Sequence, residues 1–332
     1  MSSPARPNPS MASHLVAATA RRVLRPLTQV IPANEHGLAV MDRVLRGTLV
    51  VSRPRREISV EKVDTPFAGQ RVRGDWVKAA NVASDAPPIL YIHGGAFSMC
   101  SPETHRGLIS ELSAAARRPV FAVRYRLAPR YPYPAAADDA LTAYRWLTEE
   151  GVATTSSGTV SSGTVSSGTV ALAGDSAGGQ LAAATALGAR EHRLPTPDAM
   201  LLMSPVLDLT CRLAMDRDLR RRDPFASATS ASRTLGLYVA GADPADPRVS
   251  VLAADLTDLP PTLIQVGGRE MLLDDSRVFA DRLQAAGVSS QLQVFRGQIH
   301  VFQAMFRLLP EAREALRLSG EFLATAANGT AD

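Results

Sequence analysis

The sequence predicts an α/β fold: a mostly parallel sheet of about eight strands covered by helices on both faces. Two observations predict it. From residue 57 onward, short apolar runs of strand length alternate with segments of helical spacing. A serine flanked by glycines, Ser176, stands where one of those runs gives way to a helical segment. The chain has 332 residues, 45% of them hydrophobic, enough for a large core in one enzyme-sized domain with appendages.

Taken in order, residues 1–10 are rich in Pro and Ser and are expected to be disordered. Residues 11–55 form a helical segment expected to cap the main fold. Leu15, Val16, Ala20, Val23, Leu24 and Leu27 recur at helical spacing, as do Leu38, Met41, Val44 and Leu45. They predict two helices, the first ended or kinked by Pro26. The main α/β domain is assigned to 56–332. Its period changes to two at EISVEKV and QRVRGDWV, which read as paired strands. PPILYIHGG, PVFAVRYRL, GTVALAGDS, AMLLMSPVL, PPTLIQVGG and SSQLQVFRG read as further strands. Helices are expected at about 103–117, 135–149, 177–192, 274–286 and 302–326. Residues 156–170 are three copies of SSGTV, too short for a solenoid and read as an expanded surface loop. An Arg/Asp-rich insertion at about 209–247 follows a strand's carboxyl end, so it is expected to sit over the catalytic mouth and complete the cap.

Composition excludes several classes. Lys and Arg number 36 against 32 Asp and Glu, and the basic residues are scattered, so no nucleic-acid partner is expected. The one basic cluster, Arg217 to Arg222, reads as a solvated surface. Cys100 and Cys211 form neither a disulfide framework nor a metal-like spacing. The apolar stretch LVAATA is too short for a signal-peptide core and no 18-residue apolar run occurs, so the expectation is a cytoplasmic protein without a membrane span. Whether two copies pair as a homodimer is left open.

The chemistry begins at Gly174-Asp175-Ser176-Ala177-Gly178-Gly179, with the strand TVALA before it and the helical run QLAAATALGA after it. A sharp strand-to-helix turn that presents a hydroxyl needs small neighbours on each side, and this is a G-x-S-x-G nucleophile turn in its expected context. The bland alternative is a glycine-rich turn that binds phosphate at a helix N-terminus. A serine hydroxyl needs a base to take its proton, and the base needs an acid to fix its tautomer. Of the six histidines, His14 and His36 fall in the N-terminal helices, His105 and His192 in or beside helices flanking the sheet, and His93 in a Gly-Gly turn. His300 alone follows the last strand, on the sheet's carboxyl side. The acid should lie just past the preceding strand, where Glu270 is the first carboxylate; Asp274, in a helix-capping position, is the alternative. Backbone N–H groups of His93-Gly94-Gly95-Ala96, with that of Ala177, are the expected oxyanion donors: Gly94, Gly95, Ala96 and Ala177. His93 and Asp175 support the motif.

Five ordered stretches carry a resemblance: YIHGGAF, then YRLAPRYPYPAA with Asp138-Asp139, GDSAGG, LPPTLIQVGGREMLLDD and GQIHVFQ. Together they resemble the hormone-sensitive-lipase-like bacterial esterases of the α/β-hydrolase fold over roughly residues 55–325. The resemblance implies Ser176 as nucleophile, His300 as base and a triad acid thirty residues before it, which is Glu270 where the family more often has Asp. Ala96 replaces the third glycine of the family's oxyanion turn, and Arg130 stands where Glu is usual. Asp208 matches a recurrent Asp read as structural. The implied activity is hydrolysis of short to medium acyl esters of small molecules through an acyl-serine, with no metal or organic cofactor. A lactone hydrolase would use the same residues, and a non-catalytic binding protein on the same fold is the alternative of a different class.

Overall fold

The computed structural model describes residues 8–48, 53–54, 57–83, 85–150, 152–154, 160–162 and 170–328. The central sheet has eight strands: β1 (Ile58–Phe67), β2 (Gln70–Ala79), β3 (Ile89–Ile92), β4 (Val120–Val123), β7 (Ala171–Asp175), β8 (Met200–Met203), β9 (Thr262–Gly267) and β10 (Ser290–Phe295). Their spatial order is β1-β2-β4-β3-β7-β8-β9-β10. The first hairpin is antiparallel, β2 meets β4 antiparallel, and every pairing from β4 through β10 is parallel.

The short central strands are apolar throughout because both of their faces are covered. Leu90 and Ile92 join one core with Phe121, Val123, Leu172, Met200 and Leu202, whereas Ile89 and Tyr91 join the other with Val120, Ala122, Leu201 and Met203. Side chains alternate across a strand, so successive residues supply opposite cores. The first core is completed by α5 (Ala135–Glu149), α6 (Ala177–Glu191) and α9 (Leu273–Ala285), and the second by α4 (Pro102–Ala116) and α10 (Pro310–Asn328).

Three differences from the sequence reading have local causes. The N-terminal segment forms three helices, α1 (Met11–Arg22), α2 (Leu24–Val30) and α3 (Glu35–Thr48). The first break falls at Val23, so Pro26 occupies the first turn of α2, where its missing N–H costs nothing. The helix expected at 302–326 is a 3₁₀ turn at Phe302–Met305 followed by α10. Pro310 opens α10, because a proline suits the first helical position and disfavours helix at the residue before it. The stretch expected to be disordered, 1–10, lies outside the described residues as far as residue 7. At its end, Ser10 caps α1 and its N–H and hydroxyl donate to Glu311.

Of the SSGTV copies at 156–170, Val160–Ser162 form β6, antiparallel to β5 (Val152–Thr154). Val170, the last residue of the third copy, is buried in the core just before β7; residues 156–159 and 163–169, which make up most of the expected surface loop, lie outside the described residues. Between β8 and β9 stand α7 (Arg212–Arg220) and α8 (Ala228–Val239). Among the described residues, no helix is long and apolar enough to cross a membrane. The parallel strands β3, β7, β8, β9 and β10 all end on one edge, and the segments that leave them there carry His93, Ser176, Ser204, Glu270 and His300. Ligands bind open α/β sheets at that edge.

Candidate active site

Ser176 sits between β7 and α6 with φ +52° and ψ −121°, a conformation that costs a residue with a side chain about 1–3 kcal/mol. The turn tolerates no bulk on either side. A Cβ on Gly178 would lie 1.9 Å from the Ile92 carbonyl oxygen, and one on Gly174 would lie 2.3 Å from that of Gly178. The turn is pinned by the Ser176 N–H, which donates to the Met203 carbonyl at 2.9 Å, and by the Val206 N–H, which donates to the Ser176 carbonyl at 3.1 Å. The side chain does not cap α6. It faces His300 instead, with Oγ 2.9 Å from Nε2.

The other imidazole nitrogen of His300, Nδ1, lies 2.8 Å from Glu270 Oε2. Glu270 is 0% exposed, and its second oxygen, Oε1, accepts from the Ser204 hydroxyl at 2.7 Å and the Gly267 N–H at 2.6 Å. Burial alone would lower the His300 pKa, but the hydrogen bond and charge of Glu270 outweigh it, so the imidazole sits above its ordinary value. Asp274 is placed elsewhere. It lies within ion-pair distance of Arg217 (3.1 Å), Arg220 (2.7 Å) and Arg277 (3.2 Å). Its neighbour Asp275 is buried, with Oδ2 accepting from the Leu207 and Asp208 N–H groups.

The turn after β3 departs from the expectation at one residue. The Gly94 N–H donates to Asp175 Oδ1 at 3.0 Å, so it is committed to the turn and is not free to meet an oxyanion. Gly95 (φ +117°) and Ala96 (φ +51°) follow it, and both line the cavity that contains Ser176 and His300. Ala177 is the first residue of α6, where backbone N–H groups have no partner within the helix. Asp175 holds this assembly together: Oδ1 also accepts from the Tyr91 hydroxyl at 2.5 Å, and Oδ2 lies 3.3 Å from His105 Nε2. Burial opposes charge on both groups of that pair. Their mutual attraction prevails, lowering the Asp175 pKa and raising that of His105. His93 is buried, stacked on Tyr125 with ring centroids 4.3 Å apart, and burial pushes its pKa down to about 3. It is a neutral ring that shapes the turn.

Comparison with known proteins agrees with this geometry. The family described as "alpha/beta hydrolase fold" matches residues 89–304. An acetyl-hydrolase of Streptomyces hygroscopicus is 38% identical over 252 residues, 76% of this chain and 79% of the relative. The carboxylesterase/phospholipase LipF of Mycobacterium tuberculosis is 35% identical over 329 residues, 95% of this chain and 82% of LipF. The crystal structure of an esterase from the bacterial hormone-sensitive lipase family superposes with a TM-score of 0.82 at 32% identity, covering 97% of this chain and 100% of that one. The chain belongs to the hormone-sensitive-lipase-like esterases of the α/β-hydrolase fold.

In this esterase Ser176 opens into a cavity of about 230 Å³. Leu24, Ile31, Leu38 and Met41 reach it from α2, α3 and the turn between them, and Phe225, Ala231 and Leu235 reach it from the segment between β8 and β9. Several contacts of the esterase site escaped the sequence reading. Ser204 donates to Glu270 and its Oγ accepts from the Val301 N–H at 3.1 Å, joining the loops that carry Glu270 and His300. Arg217, expected on a solvated surface, is largely buried, and its Nε donates to the Glu270 carbonyl at 2.6 Å. Asp223 is 1% exposed. His105, which its sequence position marks only as a residue flanking the sheet, pairs with Asp175. No local pattern marks these four, because each meets its partner far along the chain: the separations are 66, 53, 48 and 70 residues.

Proposed function

We propose that this chain hydrolyses uncharged short to medium acyl esters through an acyl-serine, with Ser176 as nucleophile, His300 as general base and Glu270 as the acid that orients it. The single observation that carries the assignment is the unbroken hydrogen-bonded series Glu270, His300, Ser176 at the wall of an apolar cavity. Nε2 of His300 takes the hydroxyl proton as Oγ bonds to the ester carbonyl carbon, and Glu270 stabilises the imidazolium so formed. The carbonyl oxygen gains the charge, and the N–H groups of Gly95, Ala96 and Ala177 are assigned to hold it. His300 then passes the proton to the leaving alkoxide as the C–O bond breaks. Water attacks the acyl-serine in the mirror sequence, giving its proton to His300 and releasing the acid as the proton returns to Oγ.

The substrate class follows from the cavity. No Lys or Arg lines it among the described residues, which suits a neutral ester. Its volume of about 230 Å³ lies below the ~300–1,000 Å³ typical of ligand pockets, which suits short to medium acyl chains. Helices α1–α3 with α7 and α8 are assigned as the cap that selects among them. Cys100 and Cys211 are buried and unpaired, which supports a reducing compartment and a cytoplasmic location.

A series of p-nitrophenyl esters from acetate to laurate, with lactones alongside, tests the reading. The kcat/KM is expected to peak between butyrate and octanoate and to fall at laurate. Absence of ester turnover overturns it, and lactones turned over faster than any open ester would transfer the activity to the ring substrate. The base must be neutral to act, so kcat/KM should fall as pH drops through the His300 pKa, which Glu270 holds above the usual ~6.5. An acid limb centred below pH 6 in the free-enzyme profile would contradict that pairing.

A further inference from the structure

We infer that Asp223, gripped from the N-terminal helices by Arg25, is a positioning residue for the triad: its buried carboxylate fastens the loop between α7 and α8 to the backbone just after Glu270. The inference rests on the triad proposed above. Asp223 touches none of the reacting atoms, and its two carboxylate oxygens have separate tasks. Oδ1 accepts from the Phe225 N–H at 2.6 Å, which closes a tight turn and places the Phe225 ring 5.4 Å from the His300 ring. Oδ2 accepts from the Met271 N–H at 2.8 Å, so it fixes the residue that follows the triad acid. One side chain therefore sets the wall against the base and the backbone beside the acid.

The loop is itself held from a distance. The Arg25 guanidinium, on α2, donates through Nη1 and Nη2 to the two oxygens of Asp218, each at 2.9 Å. Its Nη1 also donates to the carbonyls of Asp223 at 2.6 Å and Ala226 at 2.8 Å. Asp218 Oδ1 accepts from the Asp223 N–H at 2.7 Å. A planar guanidinium satisfied at four oxygens has little freedom, so α2, the end of α7 and the Glu270 loop form one connected unit.

The charges that bear on the base are Glu270, Asp223 and Asp175. Those facing Asp223 are Glu270 and His300, with Asp218 and Arg25 on its backbone and Arg217 on the Glu270 carbonyl. Burial pushes the Asp223 carboxyl up to about 6; above that pH it is ionised, favours the imidazolium, and is the form that accepts both N–H bonds. Asp223→Asn, nearly isosteric, turns one acceptor into a donor facing an N–H and removes the charge. In the full chain, with wild type measured in parallel on p-nitrophenyl butyrate, kcat should fall on the order of 10- to 100-fold with KM nearly unchanged, the scale of a small misplacement of catalytic groups. The acid limb of kcat/KM should move to lower pH, because the His300 cation loses a stabilising neighbour. A loss of thermal stability with kcat and the acid limb both at wild-type values would make Asp223 a structural residue and overturn the inference. If that variant does not fold, Arg25→Lys keeps a positive charge but loses the multi-oxygen grip; lower kcat at unchanged KM supports the inference, and wild-type kcat overturns it. Inactive wild-type protein would instead overturn the ester-hydrolase reading itself.

Discussion

Ser176→Ala is expected to lower kcat for ester hydrolysis on the order of 10⁶-fold, the scale found when a triad nucleophile is removed and only binding and the oxyanion donors remain. The fold should survive the change. The Ser176 hydroxyl makes no capping bond to α6, its recorded partner is His300 Nε2, and alanine meets the same backbone conformation at φ +52° with the same Cβ. A melting temperature within a few degrees of wild type, together with loss of labelling by a fluorophosphonate serine probe, is therefore the expected pair of results. Retained turnover with retained fold would mean that another group attacks the ester, and the mechanism would fall.

Glu270→Gln should cost on the order of 10⁴-fold in kcat/KM, through the tautomer of His300. The geometry says which way the amide turns. At the Oε1 position two donors, the Ser204 hydroxyl and the Gly267 N–H, already point inward, and an amide NH₂ there would face both. The amide oxygen takes that position instead and sends NH₂ toward His300 Nδ1. That nitrogen must then accept, its proton moves to Nε2, and Nε2 loses the lone pair that receives the serine proton. Asp274→Asn weakens ion pairs to two exposed arginines, Arg220 and Arg277, worth about 1 kcal/mol or less each, and one to Arg217, whose own bond to the Glu270 carbonyl remains; it makes no contact with the imidazole, so its loss should stay under about tenfold. Equal losses in the two variants, or the reverse ranking, would reassign the acid.

The legibility of the site in the sequence depends on how local each constraint is. Ser176 was readable because steric demands within two residues force Gly174 and Gly178, and those glycines remain visible without coordinates. His300 and Glu270 were placed by order alone, each standing just past a strand, β10 and β9. Gly94 was misjudged for the complementary reason. A Gly-Gly turn advertises several backbone donors, but that the first is taken by Asp175, 81 residues away, is a statement about two loops meeting. The Arg217 to Arg222 cluster mixed two fates that composition cannot separate: Arg217 is buried against the Glu270 loop, whereas Arg220 is largely exposed.

By itself, then, the sequence determined the order of the main-sheet strands and pointed to Ser176, Glu270 and His300, which the structure brings together on one sheet edge. Hydrophobic period, glycine placement and chain order are short-range properties, and short-range sterics dictate them. Tertiary structure alone decided which hydrogen-bonding groups remain free, how Ser204, Arg217 and Asp223 contact the loop that carries Glu270, and how α2, α3 and α8 enclose the cavity. Those outcomes turn on distances of a few ångströms between segments 48 to 66 residues apart along the chain, and buried polar groups must find partners wherever packing brings them.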